Sequence, residues 1–365
     1  MTKHFRRTTR QIQLGSVPVG GGAPISIQSM TNTPTNDADA TLAQIESLHT
    51  AGCQIVRVAV PNREAADALP RIAAACPIPL VADIHFDHRL ALVALEAGVD
   101  GLRINPGNIG ARAKTEAVVA AAREKGCPIR IGVNGGSLEK SLHARVHSGE
   151  IPLHEAMVQS ALGHLRILED LDFHDTKVSL KASNVRTTIE AYRLLAEHCE
   201  YPFHVGITEA GTVRTGTVKS AAGIGALLMD GLCDTIRVSL TGPVEEEVRV
   251  ARRLLAAMGE RPDEPELISC PTCGRTKMDV VSLAEQVEGI LGTVHAPIRV
   301  AVMGCEVNGP GEAREADIGI AGGGDRVLIF RKGRIIRHCP RSQALNVFRE
   351  ELHHLLTDGF PRPPS

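Results

Sequence analysis

Eight short β-branched runs recur between residues 25 and 240, each followed by a stretch whose apolar residues return at helical spacing. The runs are ISIQSM (25–30), IVRVAV (55–60), PLVADI (79–84), GLRINP (101–106), IRIGVN (129–134), KVSLKA (177–182), FHVGIT (203–208) and TIRVSL (235–240). Segments such as ATLAQIESLHTAG, REAADALPRIAAAC and HRLALVALEAG lie between them and end at Gly or Pro, as helices do. Eight βα units fit an α/β fold of the (β/α)8 TIM-barrel type, for which about 250 residues is a typical size. A doubly wound sheet competes, but would need more than its usual number of strands. Ahead of the first run, QIQLGSVPVGGGAP predicts a hairpin closing the bottom of the barrel. Its glycines mark a turn and not a nucleotide loop, because no strand-to-helix passage follows them.

The rhythm stops after RRLLAAMGERPDEPE, and the charged, Pro-containing stretch 259–266 predicts a boundary. Residues 1–260 then form the barrel and 261–365 a smaller α+β domain. The latter contains a helix (DVVSLAEQVEGILG), a strand (PIRVAVMG), a hairpin (DRVLIFRKGRIIRHC) and a C-terminal helix (SQALNVFREELHHLL).

Lys+Arg 40 against Asp+Glu 42 gives a net charge of −2, which argues against bulk attraction to nucleic acid or an anionic membrane. No Trp and only two Tyr leave little surface for stacking on bases. The N-terminal stretch MTKHFRRTTRQIQLG has no apolar core of a secretory signal, and no apolar run approaches the roughly 18 residues of a membrane span. These features predict a cytoplasmic protein whose nine cysteines are reduced.

Strand parity sorts the polar residues. Arg103 and Asn105 oppose Leu102 and Ile104; Arg130, Gly132 and Asn134 oppose Ile129, Ile131 and Val133. Ser179, Lys181 and Ser183 oppose Val178, Leu180 and Ala182; Arg237, Ser239 and Thr241 oppose Ile236, Val238 and Leu240. The apolar sets must face the helices, so the polar sets face the lumen, and Arg57 adds a fifth strand cation. Strand carboxylates are few: Asp83, which shares lumen parity with His85, and Glu209. A single lumen Arg is commonly paired with a neighbouring carboxylate. Five are not matched here, and an uncompensated buried cation costs several kcal/mol. The lumen therefore predicts a polyanion, a diphosphate or bisphosphorylated small molecule, at the C-terminal mouth. Glu209 has the wrong parity relative to His204 but precedes Gly211, where a turn can re-aim it. It reads either as a cap of the following helix or as an acid/base group at the mouth.

The second domain holds SCPTCGRTK (269–277) and VAVMGCEVNGPGEA (300–313). The two-residue spacing lets Cys270 and Cys273 reach one metal or cluster, and Cys305 and Glu312 follow in a second Gly-flanked loop. Three readings stay open: a [4Fe–4S] cluster on three thiolates, a structural zinc with His295, His338 or Cys339 as fourth ligand, and a redox Cys pair that leaves Cys305 unexplained. The Gly/Pro-rich loop favours the cluster, since its backbone N–H groups suit inorganic sulfide.

Across nearly the whole chain the sequence resembles the 4-hydroxy-3-methylbut-2-enyl diphosphate synthase family of the methylerythritol phosphate route to isoprenoids, in its compact bacterial form. The likeness rests on SMTNTPTNDADATLAQI (29–45), VADIHFD (81–87), GLRINPGNIG (101–110), IGVNGGSL (131–138), SLKASN (179–184), HVGITEAG (204–211), TIRVSLTG (235–242), SCPTCGR (269–275) and MGCEVNGPGEA (303–313). The resemblance implies a TIM barrel followed by a cluster domain, with a [4Fe–4S] centre on Cys270, Cys273, Cys305 and Glu312. It implies a head-to-tail homodimer and a substrate, 2-C-methyl-D-erythritol 2,4-cyclodiphosphate, whose diphosphate meets Arg57, Arg103, Arg130, Lys181 and Arg237, helped by Asn105, Asn134, His204 and Ser239. Electrons then come singly from flavodoxin or ferredoxin, Glu209 is the proton donor, and Glu312 is the cluster ligand that can give way. The competing function is a redox-inactive barrel lyase or transferase on a phosphorylated substrate, with a structural zinc in the C-terminal domain.

Overall fold

The computed structural model describes residues 6–136, 138–261, 263–294, 296–305, 313–323 and 326–357. The chain divides into two compact units, Met1–Leu254 and Leu255–Ser365. The division falls in the last turn of a helix, just ahead of the charged stretch 259–266.

The first unit opens with an antiparallel hairpin of β1 (Ile12–Leu14) and β2 (Val17–Val19). Then follow β3 (Ser26–Met30), α1 (Ala38–Thr50), β4 (Ile55–Ala59), α2 (Arg63–Ala75), β5 (Leu80–Asp83), α3 (His88–Glu96), β6 (Gly101–Arg103) and α4 (Arg112–Lys125). The cycle continues through β7 (Ile129–Asn134), α5 (Lys140–His147), α6 (Leu153–Glu169), β8 (Thr176–Lys181), α7 (Val185–Ala196), β9 (His204–Val205), α8 (Val213–Met229), β10 (Thr235–Ile236) and α9 (Val244–Ala257). All eight predicted runs carry a strand. β9 and β10 pair over only two residues each, because the chain beyond Val205 and Ile236 leaves the ladder.

The strands are parallel in the order β8-β7-β6-β5-β4-β3-β10-β9, and the ring closes where Val178 bridges Phe203 just ahead of β9. This is the TIM barrel that the alternation predicts. Asp37, Asn62, Asp87 and Asn184 each end a βα loop and accept a backbone N–H of the following helix, so α1, α2, α3 and α7 start at fixed points above their strands. The hairpin lies at the opposite end: Ile12, Leu14 and Val19 form one buried cluster with Ile55 and Val81 at the N-terminal ends of β4 and β5. The expected bottom closure is there.

The second unit is built on a five-stranded sheet. It consists of β11 (Glu266–Ser269), α10 (Val280–Leu291), β12 (Arg299–Met303), β13 (Ile318–Gly323), β14 (Arg326–Arg331), β15 (Arg334–Pro340) and α11 (Ala344–Thr357). β11, β12 and β13 run parallel; β13, β14 and β15 are antiparallel. On one face Val300, Val302, Ile320, Val327 and Ile329 bury against Val287 of α10 and Phe348 of α11. On the other, Ala301, Met303, Ala321, Leu328 and Phe330 bury against Ala313 and Ala316. Two strands had no clear sequence signal. β11 is a four-residue run beside the charged stretch, and β13 reads IGIAGG, whose glycines resemble a loop. Packing explains Gly319: a Cβ there would lie 2.2 Å from Cζ of Phe330.

Candidate active site

At the C-terminal mouth of the barrel is a cavity of about 220 Å³. Arg57, Arg103, Arg130, Lys181 and Arg237 all line it, with Asp83, His85, Gly132, Asn134, Ser179, Thr208 and Ser239. Parity therefore brings the five cations together as the sequence predicts. The opposing residues Leu102, Ile131, Val178, Leu180 and Ile236 are fully buried towards the helices.

Among the described residues, Asp83 is the one carboxylate in the lining. Its oxygens stand 3.2 Å from Arg103 and 3.5 Å from Arg57, and 3.6 Å from Nε2 of His85. Burial works against its charge, but Arg57, Arg103 and Arg130 outweigh burial and hold the carboxyl below its ordinary range. Arg57 also donates from Nε and a terminal nitrogen to Sδ of Met30, at 3.1 and 2.9 Å. A thioether is a weak acceptor, so this guanidinium is under-satisfied. Burial lowers Arg57 to about 10 despite Asp83. Arg130 is lowered further, by burial and by Arg57 and Arg103, and its Nε has no hydrogen-bond partner among the described residues.

Gly132 on β7 makes room for this crowding, since a Cβ there would lie 2.8 Å from Nε of Arg103. Its carbonyl accepts from Arg103 and Asn105, and its N–H donates to Oδ1 of Asn105 at 2.9 Å. Asn105 thus lies just behind the lining as a brace between β6 and β7. His204 also sits behind the lining, fully buried, with Nε2 3.2 Å from Nζ of Lys181. Glu209 is exposed, in the turn after β9, and its φ of 51° is left-handed. It is not among the cavity-lining residues, although its neighbour Thr208 is.

Two charged residues lie outside the set named from the sequence, one on a helix and one on a strand. Glu247 on α9 is buried, accepts from Ser29 at 3.0 Å and from the Leu240 N–H at 3.0 Å, and stands 3.5 Å from Arg237. Its signal is helical: it falls between the buried Val244, Val248 and Ala251. Lys177 on β8 is 1% exposed and has the lumen parity of Ser179 and Lys181. Among the described residues, six Arg and Lys side chains thus stand in or directly beneath the cavity, and the buried carboxylates near them are Asp83, Glu247 and Asp234, the last paired with Arg6.

In the second unit, Cys270 follows β11 and Cys305 follows β12, at the same end of two neighbouring parallel strands. Sγ of Cys270 accepts from the Gly304 N–H at 3.1 Å. The turn carrying Cys273 is pinned by Thr276, whose hydroxyl accepts from the Cys273 N–H, and by the Lys277 N–H on the Gly304 carbonyl. Hydrogen bonds from Arg275 lower the exposed Cys273 thiol. All nine cysteines are free thiols. Among the described residues, no three His, Cys, Asp or Glu side chains group around a single ion. Glu312 and His295 lie outside the described residues. His338 is exposed on β15 and Cys339 buried beside it. No described helix is long and apolar enough to cross a membrane.

Comparison with known proteins gives the cavity its context. The family model of the GcpE TIM-barrel domain matches residues 9–252, and that of the GcpE protein C-terminal domain matches residues 266–354. A 4-hydroxy-3-methylbut-2-en-1-yl diphosphate synthase (flavodoxin) of Geobacillus thermodenitrificans is 56% identical over 98% of this chain and 95% of its own. The protein of the same name from Geobacter sulfurreducens is 57% identical over 97% of this chain and 99% of its own. The redox-inactive lyase or transferase reading finds no support among these relatives. With both halves matched and identity above half over nearly its full length, the chain belongs to the GcpE family of 4-hydroxy-3-methylbut-2-en-1-yl diphosphate synthases.

Proposed function

We propose that the barrel cavity seats the diphosphate of 2-C-methyl-D-erythritol 2,4-cyclodiphosphate and that the chain opens and dehydrates it reductively to 4-hydroxy-3-methylbut-2-enyl diphosphate. The observation that carries this reading is the convergence of five cations on one cavity lined by a single carboxylate. Asp83 is shared by Arg57 and Arg103, and Glu247 is spent on Arg237. Arg130 and Lys181 have no carboxylate partner among the described residues, and they are the cations a diphosphate satisfies first. Asn134 and Ser239 offer neutral hydrogen bonds from the wall, while from behind Asn105 holds Gly132, whose carbonyl accepts from Arg103, and His204 stands beside Lys181.

In the reaction, the C–O bond to one ring phosphate breaks and its electron pair stays on the phosphate oxygen. Two electrons enter, and a substrate hydroxyl leaves as water with a proton. The cations stabilise the phosphate oxygen as its charge grows, the kind of preorganised stabilisation that water cannot supply. Glu209 is the proton donor in this scheme. A left-handed backbone at a non-glycine residue costs on the order of 1 kcal/mol, and its place next to the cavity-lining Thr208 supports a working role.

Cys270, Cys273 and Cys305, with Glu312, would hold a [4Fe–4S] cluster. The donor set fits: three free thiols, two of them just past adjacent strand ends and one in the turn that follows Cys270, a backbone N–H on one sulfur, and an arginine favouring thiolate at another. When bound, such a cluster supplies electrons one at a time and an iron of Lewis-acid character. The relatives' name indicates flavodoxin as electron donor, and ferredoxin is the alternative carrier. The family likeness further supports a homodimer in the cytoplasm. Protein purified without oxygen should contain about four irons and four sulfides per chain and be brown. One zinc and no sulfide would overturn the reductive reading.

A further inference from the structure

Beneath the cavity lies a basic group that the proposed chemistry does not use. Lys177 precedes Ser179 by two residues on β8, across from Arg130 on β7. It is 1% exposed, and its Nζ has no hydrogen-bond partner among the described residues. The carboxylates are taken elsewhere: Asp83 by Arg57 and Arg103, Glu247 by Arg237. Asp234, ahead of β10, is held by Arg6 and by the Phe203 N–H at 2.8 Å. The other groups facing this part of the lumen are Arg57 of β4, Arg130 of β7, Lys181 of β8 and His204 of β9, whose Nδ1 is also unpartnered. From α7 comes Tyr192, whose hydroxyl donates to the His204 carbonyl and accepts from the Leu180 N–H, and burial keeps it protonated. The lumen therefore holds one amine with no partner and no counter-charge of its own, directly under the place where a polyanion would sit.

We propose that Lys177 couples binding to proton uptake: seating the diphosphate on the cations above it charges this buried amine and balances the added negative charge from below. The proposal rests on reading the cavity as the diphosphate site. The proton comes from the buffer acid and lands on Nζ, and no other bond is made or broken. Burial, reinforced by Arg130 and Arg57 and partly countered by Asp234, pushes the free amine down to about 7. A diphosphate above it reverses the sign of the field and raises it. Above pH 7 the empty site therefore holds Lys177 neutral and the filled site holds it charged. Affinity then falls as pH rises, by up to about tenfold per pH unit for each proton taken up.

The test is calorimetric titration of the full-length chain, purified without oxygen, with 2-C-methyl-D-erythritol 2,4-cyclodiphosphate and no electron donor. Its phosphodiester groups do not titrate in this range, so the ligand contributes no proton of its own. Binding heats at pH 8 in three buffers of different ionisation enthalpy give the proton count. The expected result is that wild type takes up about one proton more than Lys177→Met, which still binds. Equal counts in the two proteins, or no uptake by wild type, would overturn the proposal. Should Lys177→Met fail to fold, Lys177→Gln takes its place in the same comparison, and a proton count equal to that of wild type ends the proposal. Absence of binding by wild type removes the site reading itself, and the proposal with it.

Discussion

The barrel cavity gathers five cations around Asp83, whereas the second unit places Cys270 and Cys305 just past the ends of two neighbouring strands and Cys273 in the turn that follows Cys270. The cations are set by strand parity and close-packed backbone, so their arrangement exists before any ligand arrives. Arg103 is held by Asp83 and the Gly132 carbonyl, and Gly132 is held in turn by Asn105. The thiols are held less tightly: Cys305 is buried, Cys270 is half-buried and Cys273 is exposed. A metal group usually supplies the energy that completes such a ligand set. One site is held by folding alone despite its like charges; in the proposed reading the other would be completed by the cluster it holds.

Cys305→Ser should separate the two sites most sharply. We expect turnover and the visible chromophore to vanish while calorimetry still shows the cyclodiphosphate binding the barrel. Persistence of the chromophore would mean that the thiols are not the ligands. Next in size is Arg130→Met, which should lower kcat/KM by about 100- to 1,000-fold, or roughly 3–4 kcal/mol, with iron content unchanged. A purely structural Arg130 would leave kcat/KM near wild type in the folded fraction. Glu247→Ala leaves Arg237 half-buried without its partner, and should cost about 3 kcal/mol of stability, read as a lower denaturation midpoint at unchanged slope. An unchanged midpoint would show that the lumen charges do not depend on helix-borne carboxylates.

The smallest effect concerns pH. The folded-state value of Lys177 is depressed to about 7, so between that pH and the ordinary lysine range the unfolded chain holds a proton that the folded lumen sheds. Stability of the ligand-free protein should therefore rise with pH above 7, by at most about 1.4 kcal/mol per pH unit for this one group. Lys181, lowered by burial and by Arg130 and Arg237, acts with the same sign. Denaturation midpoints at pH 7, 8 and 9 check the slope, and the cyclodiphosphate should flatten it. A slope of opposite sign would mean that carboxylates, not amines, control the lumen.

Much of this was legible in the residues. Alternation of β-branched runs with helical segments determined the barrel, because a strand with one face in the lumen and one on the helices must alternate. The same alternation assigned Arg103, Arg130, Lys181 and Arg237 to the lumen. Tertiary structure alone decided the rest. Glu247 comes from a helix and reaches Arg237 only because α9 packs across the strand ends. The place of Glu209 depends on a single left-handed turn after β9, which side-chain period cannot foresee. β13 needed Phe330 on the neighbouring strand to explain Gly319. Local sequence determines which way a side chain points, since that follows from backbone period. Which groups meet, and therefore which of them are left without a counter-charge, follows only from the closing of the chain upon itself.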